Sequence, residues 1–386
     1  MKKALYIYIG NIDEKSGITN KLHGLFNAFE KKGIEVTLFA LSSINKKGVD
    51  TSRKGHFLPI CYLENKVELY KELGNFIDNN PAFDYYYFRY PLGNSELLKL
   101  AKKHPHKFIF EHNTKEVPER REQAIYWVKK FKFRLSPSYA KLLYYQLIKS
   151  IFNEVYYGKR VLRLAKKGIA VTNEIAEYEK ARCSNYSCSV VSNGIEFGRI
   201  SLYKREVHEN GILNFILLAN SNSGWHGIDL IIKSFNEYKG KNIKLFLIGK
   251  FDEKDIASAA MNENIVFTGY LLPEDFEKYL KMSHVGLGAF ALFRKKLKEA
   301  STLKVREYLA SGLPVFLGHV DSDVKQSELL KKYVLGIDLR KEQIDWGRVY
   351  AWAIGLYLDA EVNKKIRDEA FRQIDFSIKV DQLIDK

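Results

Sequence analysis

Lys298-Glu299-Ala300-Ser301-Thr302-Leu303-Lys304-Val305-Arg306-Glu307-Tyr308-Leu309-Ala310-Ser311-Gly312-Leu313-Pro314-Val315 decides how the rest of the chain is read. It is one complete object: a polar loop, a helix start, a short helix and a hard stop. Ser301 or Thr302 can cap the helix N-terminus. Residues 303–310 have helical composition. Gly312 stands where a left-handed residue ends a helix, and Pro314 forbids continuation. Val315-Phe316-Leu317 then suits a buried strand. A capped helix start aims several free N–H groups at one spot and favours an anion there. Lys304 adds a full positive charge in the first turn, and Glu307 lies on the same face one turn on. A ligand carrying phosphate and hydroxyls together would satisfy both. Taken alone, the helix reads first as an ordinary surface helix feeding a strand.

The pattern around this stretch gives it a context. Towards the N-terminus, strands are expected at 214–219, 244–249, 264–268 and 284–289, with helices at 228–238, 252–262 and 273–281. An earlier alternation begins with a strand at 4–9, a loop holding Ser16-Gly17, and a helix from Ile18 to Phe29. It continues with strands at 35–41, 85–89, 107–111 and 168–172. Helices are expected at 66–79 and 95–103 and across 121–167. Residues 195–211 are polar and poorly periodic, a plausible linker. A chain of 386 residues is long for one domain. The expectation is therefore an α/β protein of two Rossmann-like doubly wound domains facing across a cleft, 1–195 and 205–362, with a C-terminal helix at about 365–386 packing back on the first. Ligands of such sheets bind outside the carboxyl ends of the strands, which makes the cleft the default site.

Composition narrows the classes. No run of 18 apolar residues suits a membrane-spanning helix. The start, Met1 to Gly10, is too short and too soon interrupted by Asn11 and Asp13 for a signal peptide, and reads as a first strand. Cys61, Cys183 and Cys188 lack zinc spacing and fit free thiols in a reducing cytoplasm. The net charge of +16 calls for an anionic partner. Basic residues gather in residues 120–167, which begin with Arg120 and end with Lys167, and only Glu122 and Glu154 oppose them. Aromatics such as Tyr126, Trp127, Tyr144, Tyr145, Phe152 and Tyr156 are interleaved. Such a segment fits an anionic membrane surface. It also fits a pair of helices with lysines in water. No zinc finger or RNP motif supports nucleic acid.

Other chemistries find no motif. Gly10 and Gly17 do not make a dinucleotide fingerprint, and Gly249-Lys250 lacks the P-loop glycines. Asp321-Ser322-Asp323 resembles the acidic pair that holds a metal under a nucleotide diphosphate in another sugar-transferase architecture, but it follows a strand in the second domain, and no metal is expected.

Glu299 and Glu307 form a Glu-x7-Glu motif, and the wording around them resembles the retaining glycosyltransferases of family four, which adopt the two-domain GT-B fold. Four further stretches fall in that family's order: Ser16-Gly17, Val191-Ser192-Asn193-Gly194-Ile195, Trp225-His226-Gly227-Ile228-Asp229, and Ile265-Val266-Phe267-Thr268-Gly269-Tyr270. The resemblance covers most of the chain and is more specific in its C-terminal half. One departure matters. Many members carry an Arg and a Lys-Gly after the linker, both on the diphosphate; here His226-Gly227 replaces Lys-Gly, and Asn220 to Ser223 supply no Arg. Phe293-Arg294-Lys295-Lys296 resembles a basic run found in some bacterial surface-polysaccharide transferases, so Arg294, Lys295 or Lys304 would restore the charge.

The resemblance implies transfer of a sugar from a nucleotide-sugar donor, a UDP-sugar by family habit, to a glycan or lipid-linked acceptor in surface-polysaccharide biosynthesis. It implies no metal and no cofactor, since the nucleotide sugar is a substrate. Donor-binding residues would be Gly17, His226, Gly227, Gly269, Arg294, Lys295, Ser301, Thr302, Leu303, Lys304 and Glu307. Glu299, one helix turn before the cap, would hold the transferred sugar, and His112 would lie near its reactive end. Arg89, at a strand end, could meet an anionic acceptor. The enzyme would be cytoplasmic, peripheral at the inner face of the plasma membrane. A nucleotide-sugar epimerase of the same fold, or a non-catalytic nucleotide-sugar or membrane-binding protein, are the alternatives; the first needs no basic-aromatic segment, and the retained glutamates and Lys304 argue against the second.

Overall fold

The structure, a computed structural model, describes residues 2–13, 16–43, 55–131, 137–207, 211–220 and 223–385. The chain forms two compact units, residues 1–192 with 379–386, and residues 193–378.

The first unit is built on seven strands: β1 (Lys3–Asn11), β2 (Glu35–Ser42), β3 (Gly55–Pro59), β4 (Tyr85–Arg89), β5 (Phe108–His112), β6 (Lys167–Ala170) and β7 (Cys188–Val190). They form one sheet in the order β3-β2-β1-β4-β5-β6-β7, and every pairing is parallel. Parallel strands need crossovers, and the helices between them supply these. Leu5, Phe39, Phe88, Phe108 and Phe110 are buried, as expected where helices cover both faces of a sheet.

The second unit repeats the plan. Its strands are β8 (Leu213–Leu218), β9 (Ile243–Ile248), β10 (Ile265–Gly269), β11 (Val285–Leu287), β12 (Glu299–Ala300), β13 (Val315–Leu317), β14 (Val320–Asp321) and β15 (Val334–Gly336). The sheet order is β10-β9-β8-β11-β13-β15, and β12 pairs with β14 in a separate two-stranded sheet. Along β8 the side chains alternate between two cores. Leu213, Phe215 and Leu217 join the core that holds Ile231, Phe235 and Trp346, while Ile216 joins the one that holds Tyr308, Leu313 and Ile366.

The decisive helix runs Leu303–Ala310 and is closed as its sequence requires. Gly312 has φ +78°, and a Cβ there would lie 2.4 Å from the carbonyl oxygen of Asn363. A side chain at 312 would therefore meet both backbone strain and a collision. That carbonyl belongs to the helix Val362–Ile374.

Several expectations need correction. The C-terminal stretch is two helices, Val362–Ile374 and Phe376–Asp385. Asp375 breaks them apart and accepts the N–H of Ser377 at 2.8 Å. The first of the two packs within the second unit, beside Val305, Tyr308 and Leu309. Residues 193–207 are not a free linker. Ile195 exchanges backbone bonds with Ile374 and Phe376, and buried Arg205 donates to the carbonyls of Ser311 and Leu280. The helical stretch across 121–167 is several pieces: Glu116–Phe131, Pro137–Asn153, one π-helical turn Glu154–Gly158, and Lys159–Leu162. β3, β12, β14, β15 and the helix Trp346–Leu356 were not anticipated.

Candidate functional site

The end of β8 organises the site in the second unit. Its last residue, Leu218, uses both backbone groups on the decisive helix. Lys304 Nζ donates to the Leu218 carbonyl at 2.6 Å, and the Leu218 N–H donates to the Tyr308 hydroxyl at 3.1 Å. The helix start is thereby held at the carboxyl edge of the sheet, where α/β folds bind ligands. Thr302 is the N-cap residue, but its side chain caps nothing, and its buried hydroxyl has no partner among the described residues. The first-turn amides beginning at Leu303 are thus left for another acceptor.

Ser301 does not cap this helix. Its hydroxyl accepts from the N–H of Asn193 at 2.8 Å and from Arg306 at 2.7 Å. Glu299 is not on a helix. It lies on β12, opposite Val320, and pairs with Lys325 at 3.0 Å.

Lys304 and Glu307 carry the site's electrostatics. Burial lowers the Lys304 ammonium to about 7 and raises the Glu307 carboxyl to about 7. The Glu307 carbonyl accepts from the Ser311 N–H, but no hydrogen bond or ion pair joins its carboxylate to any described residue, so the carboxylate is an acceptor in waiting. His226 closes a turn after β8, Gly224–His226. Burial, with the charges of Lys304 and Lys295, holds its pKa well below the usual histidine range, so it is neutral. Its Nδ1 is buried without a partner among the described residues. Gly227 caps the helix Ile228–Glu237 at φ +75°, and a Cβ would come within 3.0 Å of the Phe290 side chain. The turn is fixed to the loop after β11 by Phe290 and Ala291, whose N–H groups donate to His226 and Trp225.

Two residues of the basic run are engaged within the turn. Arg294 grips Asp229 through two bonds, at 3.0 and 2.7 Å, and donates to the Gly224 carbonyl. Lys295 is buried over the Trp225 ring, 4.2 Å from its centre. Both fix the turn's shape, while Lys304 reaches the end of β8. Gly269 is exposed at the end of β10. Ser221 and Asn222 lie outside the described residues.

Arg306 was missed in the sequence. It lies about 100° round the helix from Glu307 and is fully buried. Its guanidinium donates to Asp321 at 2.7 Å, Asp323 at 2.6 Å and the Asn193 carbonyl at 2.9 Å. The Asp-Ser-Asp string is therefore committed to a buried ion pair. The basic residue inside the glutamate motif was the signal that could have paired the two.

In the first unit, His112 is not presented to a ligand. Its side chain is 0% exposed. Nδ1 lies 3.0 Å from Glu116 and Nε2 lies 3.0 Å from the Tyr186 hydroxyl. Both ring nitrogens are spent inside a buried polar cluster with Glu179, Arg182 and Glu154. Among the described residues, His112, Glu116 and Glu179 form the group whose ligand atoms, all within 4.8 Å of one another, could hold a metal ion. Arg182 already engages Glu179 at 2.6 Å and pairs with Glu154. Burial pushes the Glu179 carboxyl well above its usual range, so a proton serves as well as an ion.

Arg89, one-quarter exposed at the end of β4, lies 3.5 Å from Glu111, whose main partner is buried Lys21 at 2.5 Å. Gly17 opens the helix Gly17–Lys31, which Ser16 caps in a reciprocal pair with Thr19. The basic segment bares an apolar face: Tyr145, Phe152 and Val155 are 63%, 66% and 64% exposed. Arg160 lies 3.9 Å from the centre of the Tyr156 ring. Lys132, Phe133 and Arg134 lie outside the described residues, as do the side chains of Trp127, Lys129, Lys130, Phe131, Tyr139 and Lys141. Among the described residues no helix is long and apolar enough to cross a membrane.

Residues 214–334 match the family described as glycosyl transferases group 1. No curated protein matches the chain in sequence. Solved structures match over nearly the full length. Sucrose-phosphate synthase from Thermosynechococcus elongatus aligns with TM-score 0.67 and 10% identity, over 100% of this chain and 98% of its own. WaaG, a glycosyltransferase involved in lipopolysaccharide biosynthesis, aligns with TM-score 0.63 and 14% identity, over 98% of each chain. Anabaena HepE, solved with UDP and glucose, aligns with TM-score 0.61 and 10% identity, over 100% of this chain and 99% of its own. The fold is GT-B, and the matched domain makes the chain a glycosyltransferase.

Proposed function

We propose that this enzyme is a retaining transferase that moves a sugar from a nucleotide-sugar donor, UDP-linked in the favoured case, to a glycan or lipid-linked acceptor in surface-polysaccharide biosynthesis. The observation that carries the donor reading is the pairing of Lys304 and Glu307 on one helix turn. Burial brings both to about 7, and the Glu307 carboxylate has no hydrogen-bond or ion-pair partner among the described residues. As the bond from the sugar's C1 to the diphosphate breaks, charge builds on the leaving oxygens. Lys304 and the amides after Thr302 are donors set in place beforehand, so they stabilise that charge more than the ground state. Glu307 would take the ribose hydroxyls and Glu299 the hydroxyls of the transferred sugar. A metal is not needed in this scheme, since Asp321 and Asp323 are engaged by Arg306.

An acceptor with an anionic group would meet Arg89. The exposed aromatic face of the helix Pro137–Asn153 and the turn after it, with Lys149 and Arg160 nearby, supports contact with an anionic membrane surface and hence a place at the inner face of the plasma membrane. WaaG's part in lipopolysaccharide biosynthesis and the UDP of the HepE complex lean the same way.

The test is turnover. The purified chain is incubated with a panel of nucleotide sugars and lipid-linked or glycan acceptors. Release of nucleoside diphosphate is followed, and the anomeric configuration of the product is read by NMR. Transfer with retention supports the proposal. Inversion, or interconversion of nucleotide sugars without transfer, overturns it.

A further inference from the structure

His319 follows β13 at the carboxyl edge of the second sheet, and no motif drew attention to it. The next residue, Val320, pairs with Glu299 in the β12–β14 ribbon, and its N–H donates to the Lys298 carbonyl at 3.0 Å. His319 is therefore one residue away from the strand contact of the first motif glutamate. Its Nδ1 lies 2.9 Å from the carbonyl oxygen of Ala289. A carbonyl has no hydrogen to give, so Nδ1 carries the proton and Nε2 of the neutral ring is a bare acceptor. The ring is 8% exposed, and Nε2 is buried with no hydrogen-bond partner among the described residues.

The surroundings keep this state. Burial lowers the pKa of the ring; the Ala289 carbonyl and Asp321 oppose this, and Lys304 and Arg306 add to it. A neutral acceptor is the wrong partner for a diphosphate, which also only accepts. It is the right partner for a hydroxyl. A buried acceptor left unmatched costs stability, so it is retained where a donor arrives.

We propose that His319 is a specificity-determining residue whose Nε2 accepts a hydrogen bond from a hydroxyl of the transferred sugar. This rests on the nucleotide-sugar reading of the same site. Glu299, on β12, and His319, which immediately precedes β14, then contact the sugar, while Lys304 and Glu307 hold the nucleotide.

The experiment separates the two claims. Calorimetry compares the nucleoside diphosphate alone with the nucleotide sugar that supports turnover, for the wild-type chain, His319→Asn and His319→Gln. Asn places an amide where Nδ1 was and keeps the bond to Ala289 but offers nothing at Nε2. Gln places its polar end near Nε2. The expected result is unchanged diphosphate affinity in both variants. Nucleotide-sugar affinity should fall about tenfold in His319→Asn, the worth of one hydrogen bond, with partial recovery in His319→Gln. KM for the donor should rise with the same pattern. In the wild type, one deoxy-sugar donor should show the same loss, and His319→Asn should not distinguish it from its parent. Equal loss of diphosphate and nucleotide sugar, or no loss of either, overturns the role of His319 while leaving the donor site intact. Failure of the wild type to bind any nucleotide diphosphate or nucleotide sugar overturns the site itself.

Discussion

Glu307→Gln should make the unliganded protein more stable while disabling it. Burial raises the Glu307 carboxyl from 4.5 to about 7, so the ionised form is held at a cost. Each pH unit between the folded and unfolded values corresponds to about 1.4 kcal/mol, which sets a ceiling of about 3 kcal/mol; water at the partly open edge of the site lowers this towards about 1 kcal/mol. The sign follows from proton linkage. Below pH 4.5 the group is protonated in both states and costs nothing. Between 4.5 and about 7 the unfolded chain loses its proton first, and the penalty grows. Above about 7 the penalty is complete. Urea unfolding at pH 8 should therefore show Glu307→Gln more stable than wild type by about 1–3 kcal/mol, and the gap should shrink to about a quarter of that by pH 5 and close by about pH 4. Nucleotide-sugar affinity at pH 8 should meanwhile fall at least tenfold, because an amide accepts poorly from two hydroxyls. A variant no more stable than wild type at pH 8, or one whose advantage is the same at pH 5, would refute the reasoning.

Other outcomes follow from the same geometry. Donor affinity should peak near pH 7, because Lys304 loses its charge above that value and Glu307 gains a proton below it; calorimetry at pH 8 in buffers of different ionisation heat should show proton uptake. Arg306→Met leaves Asp321 and Asp323 buried without their cation and should cost about 3–5 kcal/mol, read as a lower urea midpoint or loss of soluble protein. His112→Gln should lower stability but leave donor affinity within about twofold, since both ring nitrogens are spent on Glu116 and Tyr186 inside the first unit's own buried cluster. Phe152→Ser with Tyr145→Ser should weaken binding to vesicles containing anionic phospholipid, and binding by the wild type should fall as salt rises.

What the sequence made legible divides along physical lines. Strands that read as continuous apolar runs, such as β5 and β8, were visible because a sheet covered on both faces needs no alternation. The helix from Leu303 was visible because its stop is written in Gly312 and Pro314. β12 and β14 were not, since two-residue strands have no period; Glu299 was read as lying before the helix cap, and its strand pairing could not be seen. The charged residues were hardest. Lys304, Arg294, Lys295 and Arg306 look alike in the sequence. Only packing shows that Arg294 is gripped by Asp229, Lys295 lies over Trp225, Arg306 is locked to two aspartates, and Lys304 is turned to the end of β8. His112 was misjudged for the same reason. A histidine just past a strand reads as exposed, yet Glu116 and Tyr186 enclose it. His319 carried no signal, because the proton on Nδ1 is set by Ala289, thirty residues away.

The central claim is that one turn of helix binds the nucleotide half of a sugar donor. Calorimetric titration of a turnover-competent nucleotide sugar into the wild-type chain, Lys304→Ala and Glu307→Ala at pH 7 tests it directly. The account predicts saturable one-to-one binding by the wild type, weakened at least tenfold in each variant, a loss of about 1.4 kcal/mol or more. Unchanged affinity in both variants would contradict it.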